Sequence, residues 1–162
     1  MNSQIIRIGL IVITILAVSV VVATNPVAAQ SGELTVDKSV SVSQGEEQTI
    51  AVTYDGDVEP AGFEYELTYD PNIITVTNHQ NGDYFDADIS PTINDGSINY
   101  FSTGSADGTS GTVSLITITP ARGANVGATT ALSFNDDGTS GSYDDGQVGS
   151  IALATTDGTV QV

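Results

Sequence analysis

Glu64 and Glu66 are the side chains whose type and spacing come nearest to acid–base chemistry. They lie two residues apart within Gly62–Val76, Gly-Phe-Glu-Tyr-Glu-Leu-Thr-Tyr-Asp-Pro-Asn-Ile-Ile-Thr-Val. On an extended strand both would point the same way, with carboxylates roughly 7 Å apart. Glycosidases hold their paired acids roughly 5–10 Å apart, so the spacing permits that reaction. No second feature supports it. In a chain with 20 acidic residues such pairs arise by composition, and this one reads as a solvated or partner-facing strand face. His79, the only histidine, reads as an exposed loop residue, and no Ser-His-Asp set can be argued around it. Asn135-Asp136-Asp137-Gly138 and Asp144-Asp145-Gly146 could furnish oxygen ligands for calcium. The acids are adjacent and no spaced glutamate follows, so the EF-hand pattern is missing. Asp136, Asp137, Asp144 and Asp145 are thus calcium candidates by residue type alone and read first as hydrated loops. Cysteine is absent, which removes a thiol nucleophile, a Cys-based zinc site and iron–sulfur ligation.

The elements that must position these residues read as strands. Phe63, Tyr65, Leu67 and Tyr69 alternate with Glu64, Glu66, Thr68 and Asp70, the period of a half-buried strand with one aromatic and one acidic face. Asp70-Pro71-Asn72 ends it, because proline cannot donate to a ladder and Asp and Asn favour the turn. Ile73–Thr77 resumes as a β-branched strand. Strands are also predicted at 33–37, 48–54, 97–102, 112–119, 130–134, 150–155 and 159–162, with turn residues between them. Ile98 and Tyr100 fall on one face of their strand, Asn99 and Phe101 on the other. Val113 and Leu115 are out of phase with Ile116 and Ile118, which calls for a bulge near Ser114–Leu115 or burial on both faces. Tyr84 and Phe85 pin the irregular stretch 78–91 to the core, and 135–149 reads as a Gly/Asp/Ser loop. No window outside the N-terminus is helical. Nine short strands at this spacing predict an all-β, antiparallel sandwich.

Residues 1–29 precede that domain as a targeting segment. Met1–Arg7 is weakly basic, Ile8–Ala23 is apolar, and Val27-Ala28-Ala29 supplies small residues for cleavage, so a signal helix followed by one domain at 30–162 is expected. Its apolar run is short for a permanent span. All 20 acids lie in the domain, against only Lys38 and Arg122, a net charge of −18 once Arg7 leaves with the signal. Such a charge repels itself unless screened, and at about 1 M salt the Debye length falls near 3 Å. A secreted protein built for a high-salt medium is the simplest account. Nucleic acid and anionic membrane surfaces are excluded as partners by the same charge.

Read in order, the motifs resemble the cohesin domains. They are Gly45-Glu46, Gly62-Phe63, Leu67-Thr68-Tyr69-Asp70-Pro71-Asn72-Ile73-Ile74-Thr75-Val76, Gly82-Asp83-Tyr84-Phe85, Asp95-Gly96-Ser97-Ile98, Gly111 to Ile118 and Gly158-Thr159-Val160-Gln161-Val162. Thr119-Pro120-Ala121 departs from the family's usual charged residue and valine. The resemblance implies a nine-stranded jelly roll related to carbohydrate-binding modules. It implies binding rather than catalysis, with a dockerin-type protein module as partner. It also implies a docking face on the sheet of the third, fifth, sixth and eighth strands. That face would carry Glu64, Glu66, Asn99, Phe101 and Leu115, with Asn135 and Asp136 just before the eighth strand. Phe101 and Leu115 are the apolar residues left over once core parity is assigned, as an interface centre would be.

Three other functions compete. A carbohydrate-binding module would need a planar strip of exposed rings, and the chain has no Trp. A structural surface domain would self-associate. An enzyme acting on glycans ranks last.

Overall fold

A computed structural model describes residues 30–85, 91–104, 106, 108–144 and 148–162, so the expected signal helix and its cleavage site lie outside the described residues. In chain order the strands are β1 (Gln30–Val36), β2 (Val40–Ser41), β3 (Gln48–Gly56), β4 (Pro60–Thr68), β5 (Ile74–Asn81) and β6 (Thr92–Asn94). They continue as β7 (Ser97–Thr103), β8 (Ser110–Pro120), β9 (Thr129–Phe134), β10 (Ser140–Asp144), β11 (Val148–Thr156) and β12 (Gly158–Gln161). A single 3-10 turn, Asp136–Gly138, interrupts them between β9 and β10. The all-β class therefore holds, but the described residues contain twelve strands where nine were expected. The three extra ones, β2, β6 and β10, are two, three and five residues long and carry no hydrophobic alternation that would mark them. The ladder is also not wholly antiparallel, because β1 runs parallel to β11 and β2 parallel to β12.

Two layers face each other. The front layer runs β6-β7-β4-β9-β12-β2 and the back layer β11-β1-β3-β8-β5, and the β10–β11 hairpin links β4 to β1 along one side. The inward row of β4 fills the space between them: Phe63, Tyr65 and Leu67 are essentially inaccessible. Tyr65 stacks on Tyr100 of β7 at 4.9 Å and meets Phe134 of β9 edge-on at 5.8 Å. Phe63 contacts Tyr54 of β3 at 4.7 Å, which ties the front layer to the back. Each such ring pair contributes about 0.5–1.5 kcal/mol beyond the area it buries. Tyr84 and Phe85 are buried among these rings as expected, but residues 78–81 of the stretch read as irregular continue β5, and 86–90 lie outside the described residues.

The fourth member of the row, Tyr69, lies past the end of β4 and is only partly buried. Its hydroxyl donates to the Asn94 carbonyl at 3.0 Å, and its N–H donates to the Gly96 carbonyl at 2.9 Å. Gly96 has φ +91°, a left-handed conformation that closes the two-residue turn between β6 and β7. The Asp70 carboxylate accepts from the Asn72 backbone N–H at 2.9 Å, so the Asp-Pro-Asn turn is held by its own side chain. The phase break in β8 is a bulge: Val52 pairs with Ser114 and Thr53 with Thr112, leaving Val113 as the extra residue. Val113 and Ser114 are consequently both buried, one residue earlier than the pattern suggested.

Burying Ser114 beside apolar neighbours requires a partner, and the Tyr65 hydroxyl lies 2.5 Å from its Oγ, across the two layers. Desolvation raises the Tyr65 pKa, so this hydroxyl keeps its proton throughout the neutral range. Tyr65→Phe should lower the unfolding free energy by about 1–2 kcal/mol, and adding Ser114→Ala should cost little more, because the orphaned hydroxyl is then gone. Denaturant unfolding of the two single variants, the double variant and the wild type tests this. Simply additive losses would show that the hydroxyls act independently.

Candidate functional site

The outward row of β4 lies opposite the outward row of β7. In the antiparallel register Glu64 faces Phe101 and Glu66 faces Asn99, so the two acids, the amide and the ring form a square on the front layer. Residues directly opposite on one face hold their Cβ atoms about 4.5–5.5 Å apart. Phe101 is 53 % exposed while its neighbours Tyr100 and Ser102 are buried, as strict alternation demands. Glu64 and Asn99 are exposed and Glu66 is half-buried.

A broken strand completes the face. β9 pairs with β4 only at Leu67 and Thr68, and β10 pairs with it from Glu64 back to Pro60. The chain between them arches outward as the 3-10 turn over Glu66. Asn135 fastens the arch: its backbone N–H donates to the Glu66 carbonyl at 2.9 Å and its Nδ2 to Glu66 Oε2 at 2.6 Å. Asp136 follows on the turn and accepts from the Thr155 hydroxyl at 3.2 Å, and Asp137 is exposed beside it. Five of the seven expected docking residues, Glu64, Glu66, Asn99, Phe101 and Asn135, thus share one surface, with Asp136 at its rim.

Leu115 does not join them. It sits on β8, which pairs with β3 and β5 in the back layer, and its side chain is half-buried there. Its strand joins the back layer through long-range pairing with β3 and β5, which its own alternation does not report. Residues the sequence reading missed take its place. Ser140 lies opposite Glu64 and Ser142 opposite Gly62, and a groove of about 330 Å³ runs from Phe101 past Glu64, Thr103, Ser140 and Ser142 to Leu153. The one available signal was the period-two placement of Ser140 and Ser142 around Gly141, which composition disguised as a loop.

The calcium candidates are not gathered either. Asp136 and Asp137 precede β10 and Asp144 ends it, so the five-residue strand separates them by roughly 13 Å or more, while Asp145 lies outside the described residues. Among the described residues no three carboxylate or imidazole side chains converge to hold a metal. His79 corrects the loop expectation. It belongs to β5, its ring is 5.4 Å from that of Tyr100, and both ring nitrogens are buried without a hydrogen-bond partner.

With this geometry in place, comparison with known proteins decides the family. A family model for the cohesin domain matches residues 32–162. The chain belongs to the cohesin domain family. Solved cohesins share its fold at low identity. The seventh ScaB type I cohesin of Pseudobacteroides cellulosolvens superposes with a TM-score of 0.70 at 17 % identity, covering 82 % of this chain and 92 % of that one. The third ScaC cohesin of Acetivibrio cellulolyticus, solved in complex with a ScaB dockerin, gives 0.68 at 18 % identity, with 81 % and 98 % covered. A non-cellulosomal cohesin from the archaeon Archaeoglobus fulgidus gives 0.65 at 16 % identity, with 81 % and 90 % covered. No curated protein sequence matches this cohesin significantly.

Burial alone moves His79: desolvation pushes its pKa from 6.5 down to about 4. The unfolded chain therefore takes up a proton near pH 6.5 and the folded domain only near pH 4. Stability present above pH 6.5 is lost as the pH falls through that window. After allowance for the ring's partial exposure the loss is about 1–2 kcal/mol. Chemical unfolding at pH 7 and pH 4.5 should show a smaller drop for His79→Gln than for the wild type. Parallel pH profiles would mean that other groups set the dependence.

Proposed function

We propose that this cohesin is a non-catalytic module that captures a dockerin-type protein partner on the β6-β7-β4-β9/β10 face. The observation that carries this is Phe101, a ring exposed on the outward row of β7 and set between Asn99, Thr103 and the facing Glu64. A ring in that position has no role in the core, and burying it would release about 25 cal/mol for each Å² removed from water. The Acetivibrio ScaC cohesin and the Clostridium thermocellum OlpC and OlpA cohesins were each solved with a dockerin bound, which supports the same class of partner here. The Archaeoglobus protein is non-cellulosomal, so a polysaccharide-degrading context is one setting for such a module and not a requirement of the fold.

The carbohydrate-binding alternative gains nothing from the rings. Of the ten Phe and Tyr residues only Phe101 stands out in solvent; Tyr69 is partly covered and the other eight are buried in the core. A single ring offers no strip on which successive sugars could stack.

Calorimetric titration with dockerin modules in calcium and high salt tests the proposal. Phe101→Asp should weaken binding by about thirtyfold or more, the loss expected for a central anchor, whereas Leu115→Ala on the back layer should leave it within twofold. Retention of the domain on polysaccharide with no dockerin binding would overturn it.

Secretion into a saline medium is the setting we propose for the domain. The carboxylates that cover its surface have almost no cations to offset them, so added salt relieves their repulsion. The melting temperature should rise by several degrees or more between 0.1 M and 2 M KCl. A flat or falling Tm over that range would exclude the salt adaptation.

A further inference from the structure

We propose that the groove beside Phe101 is a receptor for an arginine side chain of the partner, with the guanidinium lying on the Phe101 ring and paired to the Glu64 carboxylate. This rests on the reading of the front layer as a docking face and states what that face recognises. Glu64 and Phe101 are direct cross-strand partners on one surface, so their side chains stand side by side over the groove that Thr103, Ser140, Ser142 and Leu153 continue. The ring is 53 % exposed and Glu64 is exposed.

The two carboxylates of β4 are not equivalent. Glu66 is engaged by the Asn135 amide at 2.6 Å, so its charge is already answered from within the domain. Among the described residues no side chain answers Glu64 in the same way. Among the described residues the cations are Lys38, in the β1–β2 connection, and Arg122, just beyond β8, and neither lies on a strand of this face. Asp136 and Asp137 add negative charge at the rim. An occupant seated here must bring its own positive charge, and it must also cover an apolar ring. Arginine meets both demands. Its planar guanidinium stacks on an aromatic face while donating two parallel hydrogen bonds to a carboxylate, and its methylene stem covers apolar surface. Lysine, a compact and strongly hydrated charge, fits the carboxylate and not the ring. The groove has the volume for one long side chain, so the recognised element is one projecting residue of a partner whose body lies across the face.

Two measurements test this, and they fail separately. In the first, backbone amide shifts of the isotope-labelled full domain are followed while N-acetyl-arginine amide is added, with the citrulline and lysine analogues as controls. The arginine compound should move the resonances of Glu64, Phe101 and Ser140 more than either control. Glu64→Gln and Phe101→Ala should each abolish that difference. In the second, a dockerin module carrying an arginine on its docking helix is compared by calorimetry with its Arg→Met and Arg→Lys forms. Arg→Met should weaken binding at least tenfold and Arg→Lys less. Glu64→Gln should remove most of the distinction between the arginine and methionine forms, while Glu66→Gln retains it. If the dockerin binds but neither Arg→Met nor Glu64→Gln matters, the arginine receptor is wrong and the docking face stands. If no dockerin binds and the arginine compound still selects Glu64 and Phe101, the receptor stands and the dockerin reading falls. Equal shifts with arginine and citrulline amides, with no effect of Glu64→Gln, overturn the receptor.

Discussion

Everything on the outer surface of the front layer depends on the stack of Tyr65 against Tyr100 and the hydrogen bond that Tyr65 makes to Ser114 across the sandwich. These contacts hold the register of β4 against β7 at its centre. A strand's side chains alternate strictly, so a slip of one residue would exchange the ring row for the acid row. The cost of such a slip is large in both directions. Three large apolar side chains would enter water, and the carboxylates of Glu64 and Glu66 would enter a core with no cations to receive them. The placement of the outward acid row is thus a consequence of how the core is packed.

The same register explains why the acid row is tolerable. Two unit charges roughly 7 Å apart repel by only about 0.6 kcal/mol in water, and salt reduces that further. The arch between β9 and β10 relieves it again, because Asn135 presents its amide to Glu66. Among the described residues no amide is presented to Glu64 in this way, so the two carboxylates of one strand face differ: one is tied to the domain and the other stands in solvent beside an exposed ring.

Identity with solved cohesins is below 20 %, yet the superpositions cover about four-fifths of the chain. Few individual residues are needed to specify such a sandwich. It needs inward apolar rows at a period of two, turns that end strands where Asp-Pro-Asn and Asp-Gly do, and a bulge where two faces of β8 must both be covered. An acidic exterior is compatible with all of these, because none of them involves the outward positions.

Much of this was legible from the residues alone. Alternation in Gly62–Tyr69 and Ser97–Ser102 determined which side chains of β4 and β7 face inward, since only one phase buries rings and exposes acids. The closure of β4 by Asp70-Pro71-Asn72 was readable for the same local reason, and so was the phase break in β8, though the pairing with β3 was needed to show that it is a bulge and to place it at Val113. Other features were decided only by tertiary structure. Thr-Val-Thr-Asn-His-Gln-Asn has no hydrophobic alternation beyond Val76, so the strand expected at Ile73–Thr77 runs on to Asn81 because β8 pairs with it, and His79 is covered because Tyr100 lies against it. β10 is drawn from Ser, Gly, Tyr and Asp, and its pairing to β4 and β11 gives Ser140 and Ser142 their place on the face. Leu115 was assigned to the wrong layer because alternation reports which way a side chain points relative to its own strand. Which sheet that strand joins is set by long-range pairing, and no local pattern encodes it.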